Sequence, residues 1–228
     1  MDKIDLLYDH YKDTYSLSKQ AQMQRNKLFV WLCALEALSF LSLIKPDELM
    51  DNLTSSINSH FNVELAMGNA VLQTLLWILT AYVTVRYCQE VLYIERQYGY
   101  IDHLEKEISK ESHSGLFERE GTWYNKDYPM VLNFIDLFYK MFCPILFAAI
   151  NISRIYMEWS RPNRAEGTIG KGTINLSLLC DTFIFGAIMI VTWFYFFEIH
   201  SKITEWVKQH IPFVDKIAIA LRKVLKEV

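Results

Sequence analysis

Five polar side chains lie inside long apolar runs, and these residues have the clearest capacity for chemistry in the sequence. They are Glu36, Gln73, Asn151, Arg154 and Asp181. A charged side chain at the centre of a bilayer costs about 2.5–3.5 kcal/mol on insertion scales. We therefore expect these groups to face the interior of a helix bundle or a subunit interface, where they form a polar path or join neighbouring helices.

Glu36 is the sharpest of these candidates because it lies eight residues from each end of the apolar run 28–44. A side chain at that depth does not easily reach the aqueous surface, and the sequence indicates no basic residue at the same level. Desolvation disfavours the charged form of such a carboxyl group, so we expect it to be neutral part of the time. In an oligomer, several copies around a central axis would attract cations or relay protons. We predict that Glu36 is a gating or proton-accepting residue.

The other four polar residues are predicted to share one depth, because consecutive spans run in opposite directions. Arg154 and Asp181 can pair at that depth, although Arg154 can also extend toward the surface. Two interpretations stay open for the group. The side chains line a hydrophilic cavity or pore, or they form interhelical hydrogen bonds worth about 1 kcal/mol each. The nearby Trp77 is interpreted as ordinary packing.

Pro144 is a candidate hinge in the third apolar run. A proline lacks the backbone N–H that would bind the carbonyl of Lys140 one turn earlier, and it bends the helix. A static kink is the alternative interpretation.

The elements that must position these residues are four apolar runs, each long enough to cross a hydrocarbon core about 30 Å thick as a helix. The runs cover residues 28–44, 66–85, 137–157 and 176–197. They predict an all-α polytopic membrane protein, a four-helix bundle of two transmembrane hairpins, 28–85 and 137–197. Three polar segments are predicted to extend the bundle. They are an amphipathic N-terminal helix at 1–27, a helix with a loop at 86–136, and an amphipathic C-terminal helix at 198–228.

Basic residues predict the orientation of the bundle. Segments 1–27, 86–136 and 198–228 carry five, six and six Lys or Arg residues, whereas the two loops on the opposite side carry four in total. Because positive charge stays on the cytoplasmic side, we expect both termini in the cytoplasm and the chain in the plasma or inner membrane.

The second span is expected to continue as one helix to about Ser112, with Gly99 as its weakest point. Ile94, Ile101 and Ile108 recur every seven residues and therefore share a face. We predict that this apolar stripe mediates assembly or binds a cytosolic protein.

Catalytic and metal-binding patterns are absent from the sequence. It contains no G-x-S-x-G, no H-E-x-x-H and no glycine-rich phosphate loop. The four cysteines lie in or at the edge of different apolar runs, which argues against a disulfide framework or a zinc site. A net charge of −3 gives no support for nucleic-acid binding. We expect no enzymatic activity, no cofactor and no metal.

The segment Tyr87–Glu111, which begins YCQEVLYIERQYGYIDHLEKE, carries a resemblance. A span leads directly into a polar helix rich in Tyr, Arg and Glu, and in this respect the chain resembles SLATT-type effectors of bacterial antiviral-defence loci. The resemblance covers about half of the chain, and four spans instead of two are a departure from that family. It implies an oligomeric pore-forming or membrane-sensing component with a cytosolic partner, and it supplies no site residues.

Together these observations predict a non-enzymatic, homo-oligomeric sensor or channel-like effector in the lipid bilayer, coupled to a cytosolic partner and acting in antiviral defence. The alternative is a small secondary transporter that couples substrate to protons through Glu36.

Overall fold

The computed structural model describes residues 3–61, 69–112, 130–160 and 176–199, and all of these except Lys45 are helical. The helices are α1 (Lys3–Ile44), α2 (Pro46–Phe61), α3 (Asn69–Ser112), α4 (Met130–Leu137), α5 (Cys143–Ser160) and α6 (Leu176–Ile199). A π-helical turn, Phe138–Phe142, joins α4 to α5. The predicted C-terminal amphipathic helix lies almost wholly outside the described residues.

Four helical segments are long and apolar enough to cross a membrane, which confirms the all-α class and indicates an integral membrane protein. They are α1, α3, α6 and the segment formed by the π-helical turn and α5. In the bundle, α1 packs against α3 and α5, and α6 packs against the same two helices. The four spans therefore form a closed ring in the order α1, α3, α6, α5. Polar side chains that point into the ring are removed from lipid.

Beyond the bundle, the N-terminal part of α1 (residues 3–27) and the C-terminal part of α3 (residues 86–112) form an antiparallel pair. We term this pair the hairpin, and it is distinct from the two transmembrane hairpins predicted from the sequence. Each of the two helices runs unbroken from the bundle into the hairpin, over about 65 Å at 1.5 Å per residue. Gly99 does not interrupt α3. Contacts along the pair fix its register: Lys3 binds Glu111, and the Tyr11 hydroxyl donates to Glu105 Oε1 at 3.0 Å.

The apolar stripe predicted on α3 is buried. Ile94, Ile101 and Ile108 are each at most 2% exposed. The buried side chains of α1 in the hairpin are small: Thr14, Ser18 and Ala21. Small residues let two helix backbones approach closely, and buried positions spaced three and four apart are typical of coiled-coil packing. The stripe is therefore buried within the chain and is not an exposed docking surface.

The segment between the first two spans is expected to be a short loop, but the structure forms α2 there. Pro46 begins the helix, at a position where its missing N–H is not needed. Lys45 and Glu48 form an exposed ion pair of 2.5 Å at its start. The connection between these spans therefore contains a helix of 16 residues.

Pro144 follows directly after the π-helical turn. At the end of this turn the Cys143 N–H binds the carbonyl of Phe138, five residues earlier. A proline ring in a regular helix clashes with the carbonyl four residues before it, so a widened turn at this point accommodates Pro144. Within the turn, Lys140 Nζ lies 3.0 Å from Glu95 Oε1 of α3. The irregular turn is thus tied to the base of the hairpin.

Candidate functional site

Arg154 lies at the centre of the bundle and joins three of its helices. Its side chain is fully buried. Nη1 donates to Ser39 Oγ of α1 at 3.0 Å, and Nη2 donates to the Gln73 carbonyl oxygen of α3 at 2.9 Å. Of the two alternatives for Arg154, the structure has the buried one and not extension toward the surface, because fixed acceptors inside the bundle replace its hydration.

We term the buried group around this arginine the polar core. Its members come from all four spans: Glu36, Ser39, Gln73, Trp77, Asn151, Arg154, Glu158 and Asp181. Each of them is less than 9% exposed. All five polar residues singled out in the sequence belong to this group, and they lie within a single chain.

Glu158 is a central acceptor of the polar core that sequence reasoning did not identify. Its Oε1 accepts from Arg154 Nε at 3.3 Å, from Trp77 Nε1 at 3.0 Å and from Gln73 Nε2. The predicted third span ends at residue 157, whereas α5 continues to Ser160. The usable signal was the spacing, because residues four apart on a helix share a face and Glu158 follows Arg154 by one turn.

Trp77 forms polar contacts within the polar core and is not only a packing residue. It is completely buried, and its indole nitrogen donates to Glu158. The central guanidinium carbon of Arg154 lies 4.1 Å from the centroid of its ring. An aromatic face at this distance stabilises a cation, most strongly where water is excluded.

Glu36 faces the interior of the ring of helices and is 2% exposed. Its Oε1 accepts a hydrogen bond from Asn151 Nδ2 of α5 at 2.7 Å, and its charge interacts with that of Arg154. The sequence indicated no basic residue at this depth, and the hydrogen-bond partner that the structure gives Glu36 is a neutral amide. A ring of Glu36 side chains around an oligomer axis is also inconsistent with this burial, because the side chain lies inside its own bundle.

Asp181 of α6 completes the set and is fully buried. The charge of Asp181 acts on Arg154, whereas Glu158 forms the direct ion pair with the arginine. Within the described residues, the polar core thus contains three carboxyl groups, Glu36, Glu158 and Asp181, and a single guanidinium. If all were ionised, negative charge would be in excess in a medium of low dielectric constant, where excess charge is costly.

A cavity of about 30 Å³ extends from Glu36 toward the hairpin side of the bundle. Its polar lining includes Glu36 and Asn151 at one end and the hydroxyl-bearing residues Tyr87, Thr192 and Tyr195. By the measure that one water needs about 10–15 Å³, the cavity has room for about two water molecules. The proposed hinge residue Pro144 lies in the cavity wall.

The arrangement can stabilise charge and accept protons inside the four-helix bundle, toward the end of the spans that lies away from the hairpin. The polar core and the cavity together place polar groups at successive levels between the two ends of the spans. Comparisons with protein-family models, curated proteins and solved structures found no match to this chain.

Proposed function

We propose that the chain is a non-enzymatic membrane sensor or channel-like effector whose responding element is the polar core. The observation that carries the proposal is the buried Arg154, which contacts α1 and α3 directly and is surrounded by three carboxyl groups. Because the negative groups outnumber the guanidinium, gain or loss of a proton changes the forces that hold four spans together.

The hairpin supports coupling between this core and the aqueous phase. Helices α1 and α3 carry Ser39 and Gln73 at the core and continue without a break into the hairpin. A shift of either helix at Arg154 is therefore transmitted along a rigid element. We propose that the hairpin lies in the cytoplasm, as the distribution of Lys and Arg predicts, and that a cytosolic partner binds its exposed surface.

The resemblance to SLATT-type effectors is consistent with the same role, and we propose a homo-oligomer of such bundles in an inner membrane, acting in antiviral defence. Since Glu36 lies inside its own bundle, ions or protons would pass through each subunit and not along a shared axis. Mass photometry of the protein in nanodiscs measures the stoichiometry directly.

The second candidate is the proton-coupled secondary transporter. The observation that favours it is the cavity beside Glu36, since transporters bind their coupling ion near the middle of the membrane. Uptake that requires both a substrate and a proton gradient would support this candidate over the channel-like effector.

Proton flux into proteoliposomes tests the proposal. A potassium gradient with valinomycin drives protons inward, and an internal pH-sensitive dye records them. We expect the wild-type protein to conduct above the level of protein-free liposomes. Glu36→Gln should reduce the flux at least tenfold, because it keeps the hydrogen bond from Asn151 but removes the titrating group.

Glu48→Gln is the matched control, since it removes an exposed carboxylate of α2 outside the polar core. It should conduct like the wild type. Flux in the Glu36→Gln protein equal to that of the wild type would contradict the proposal and leave the polar core as interhelical hydrogen bonding.

A further inference from the structure

Two buried oxygen atoms at the contact between α1 and α5 accept no hydrogen bond from the part of the chain that the structure describes. They are Glu36 Oε2 and Asn151 Oδ1, and both residues are at most 2% exposed. A buried acceptor without a donor costs free energy, and native structures satisfy such atoms. Because protein atoms enclose both oxygens and the neighbouring cavity is lined mainly by apolar side chains, the group that satisfies them has to be very small.

The orientation of the Asn151 amide is fixed by its neighbours. Its Nδ2 donates to Glu36 Oε1 at 2.7 Å and to the Phe147 carbonyl oxygen of its own helix at 2.8 Å. A primary amide nitrogen has two hydrogens, and these two acceptors use both of them. Exchange of the amide nitrogen and oxygen would place Oδ1 against two oxygen atoms. The atom of Asn151 that still needs a donor is therefore Oδ1.

A single proton satisfies both oxygens at once. A carboxylic acid and a primary amide can form a closed ring of two hydrogen bonds, in which the amide N–H donates to one carboxyl oxygen and the acid O–H donates to the amide oxygen. The first of these bonds joins Asn151 Nδ2 to Glu36 Oε1. The atoms of the second bond are the two unsatisfied oxygens. A proton needs no cavity, in contrast to a metal ion or a water molecule.

The arginine of the polar core does not supply the missing donor. The charge of Arg154 reaches Glu36, but the N–H groups of this guanidinium bind other acceptors. They donate to Ser39, to the Gln73 carbonyl oxygen and to Glu158. The direct ion pair of Arg154 is thus with Glu158, and Glu36 Oε2 keeps an unused lone pair.

The other titratable groups around Glu36 do not compensate a negative charge on it. Those that interact with Glu36 or share the adjoining cavity are thiols and phenols, which are neutral near pH 7. They are Cys33 of α1, Tyr87 and Cys88 of α3, Tyr139 of the π-helical turn, Cys143 of α5 and Tyr195 of α6. Glu158 and Asp181 both act on Arg154. An ionised Glu36 would therefore add to an excess of negative charge in a medium that solvates it poorly.

We propose that Glu36 and Asn151 form a proton-binding pair, in which the resting protein holds one proton on Glu36 Oε2, hydrogen-bonded to Asn151 Oδ1. Uptake of this proton from water forms one O–H bond and removes one negative charge from the polar core. Its release leaves two acceptors that repel each other, which weakens the contact between α1 and α5. The use of the pair as a trigger rests on the proposed function, whereas the bound proton is measured without any flux.

Infrared spectroscopy of the full-length protein in nanodiscs detects the proton directly, because a protonated carboxyl group has a C=O stretching band separate from the bands of ionised carboxylates. At pH 6 we expect a component of this band that Glu36→Gln removes. Asp181→Asn and Glu48→Gln, which change a second buried and an exposed carboxyl group, should retain that component. Asn151→Leu should move it to higher frequency, because the acid C=O loses the N–H that it accepts.

Thermal unfolding in detergent gives a second measurement, in which Glu36→Gln imitates the protonated pair at every pH. A solvated glutamate, as in the unfolded chain, is mostly ionised from pH 5 upward, whereas the folded wild type keeps this proton. Raising the pH from 5 to 6 therefore lowers the folding equilibrium constant of the wild type tenfold relative to Glu36→Gln. Its Tm should fall by about 3–6 °C relative to that variant. Glu48→Gln should follow the wild type.

Three results would each overturn the proposal. They are an acid band that does not depend on Glu36, a band frequency that Asn151→Leu leaves unchanged, and a Tm difference between wild type and Glu36→Gln that is the same at pH 5 and pH 6. Proton flux that requires Glu36 would stand in each of these cases. A bound proton without flux would contradict the proposed function alone, so the two failures are distinguishable.

Discussion

The guanidinium of Arg154 lies over the indole ring of Trp77, 4.1 Å from its centroid, while the indole N–H and the guanidinium Nε both donate to Glu158 Oε1. The tryptophan therefore contacts the cation through its face and the anion through its edge. These three residues lie where the ring of four spans excludes both water and lipid. Each of them therefore depends on the other two for its hydrogen bonds and for compensation of charge.

Replacing Arg154 with Gln should destabilise the bundle strongly. The change leaves three buried carboxyl groups without a cation, and breaking a buried pair in this way costs about 3–5 kcal/mol. Denaturant unfolding in detergent measures the loss. Arg86→Gln is the control, since Arg86 is partly exposed, pairs with Glu90 one turn away and should cost less than about 0.5 kcal/mol. Equal losses in the two variants would show that burial of the ion pair has no special role.

Shortening Ile101 to Ala should loosen the hairpin while leaving the membrane bundle folded. Ile101 of α3 is buried, and truncation of a buried isoleucine costs about 2–5 kcal/mol. Hydrogen exchange should rise in residues 3–27 and 86–112 and stay unchanged in the spans. Leu17→Ala, at an exposed position of α1, should leave exchange as it is. Unchanged protection in Ile101→Ala would show that the buried stripe does not stabilise the hairpin.

Substitution of Gly99 by Ala should stabilise the hairpin. Gly99 lies in the interior of α3, and a Cβ at this position meets no atom within 4 Å. Alanine favours the helix over glycine by about 1 kcal/mol. The expected readout is slower hydrogen exchange in the C-terminal half of α3. Faster exchange, or a loss of activity at normal stability, would indicate that α3 has to bend at this residue.

The orientation of the chain is open to direct measurement by cysteine labelling. In a variant without the four native cysteines, a probe at Ser56 of α2 should react with an impermeant reagent applied from outside cells. A probe at Lys19 in the hairpin should react only after the membrane is opened. Both positions are exposed in the structure, so burial does not prevent labelling. The reverse pattern would invert the predicted orientation and place the hairpin outside.

The sequence alone determined the fold class and the four spans, because an apolar run of 17 residues or more has few alternatives to a membrane helix. It also indicated that Glu36, Gln73, Asn151, Arg154 and Asp181 turn away from lipid, since exposure there is costly. The repeat of Ile94, Ile101 and Ile108 predicted a shared apolar face. These inferences depend only on local composition and on helical periodicity.

The partners of these residues were decided by the tertiary structure. Span position predicts the depth of a side chain, but the order and rotation of the helices determine which groups meet at that depth. Glu36 binds Asn151, 115 residues away, because α1 and α5 are neighbours in the ring. Arg154 takes its direct ion pair from Glu158, at the end of its own helix, and the isoleucine stripe is buried. Periodicity reports that a face is buried, and only packing decides what buries it.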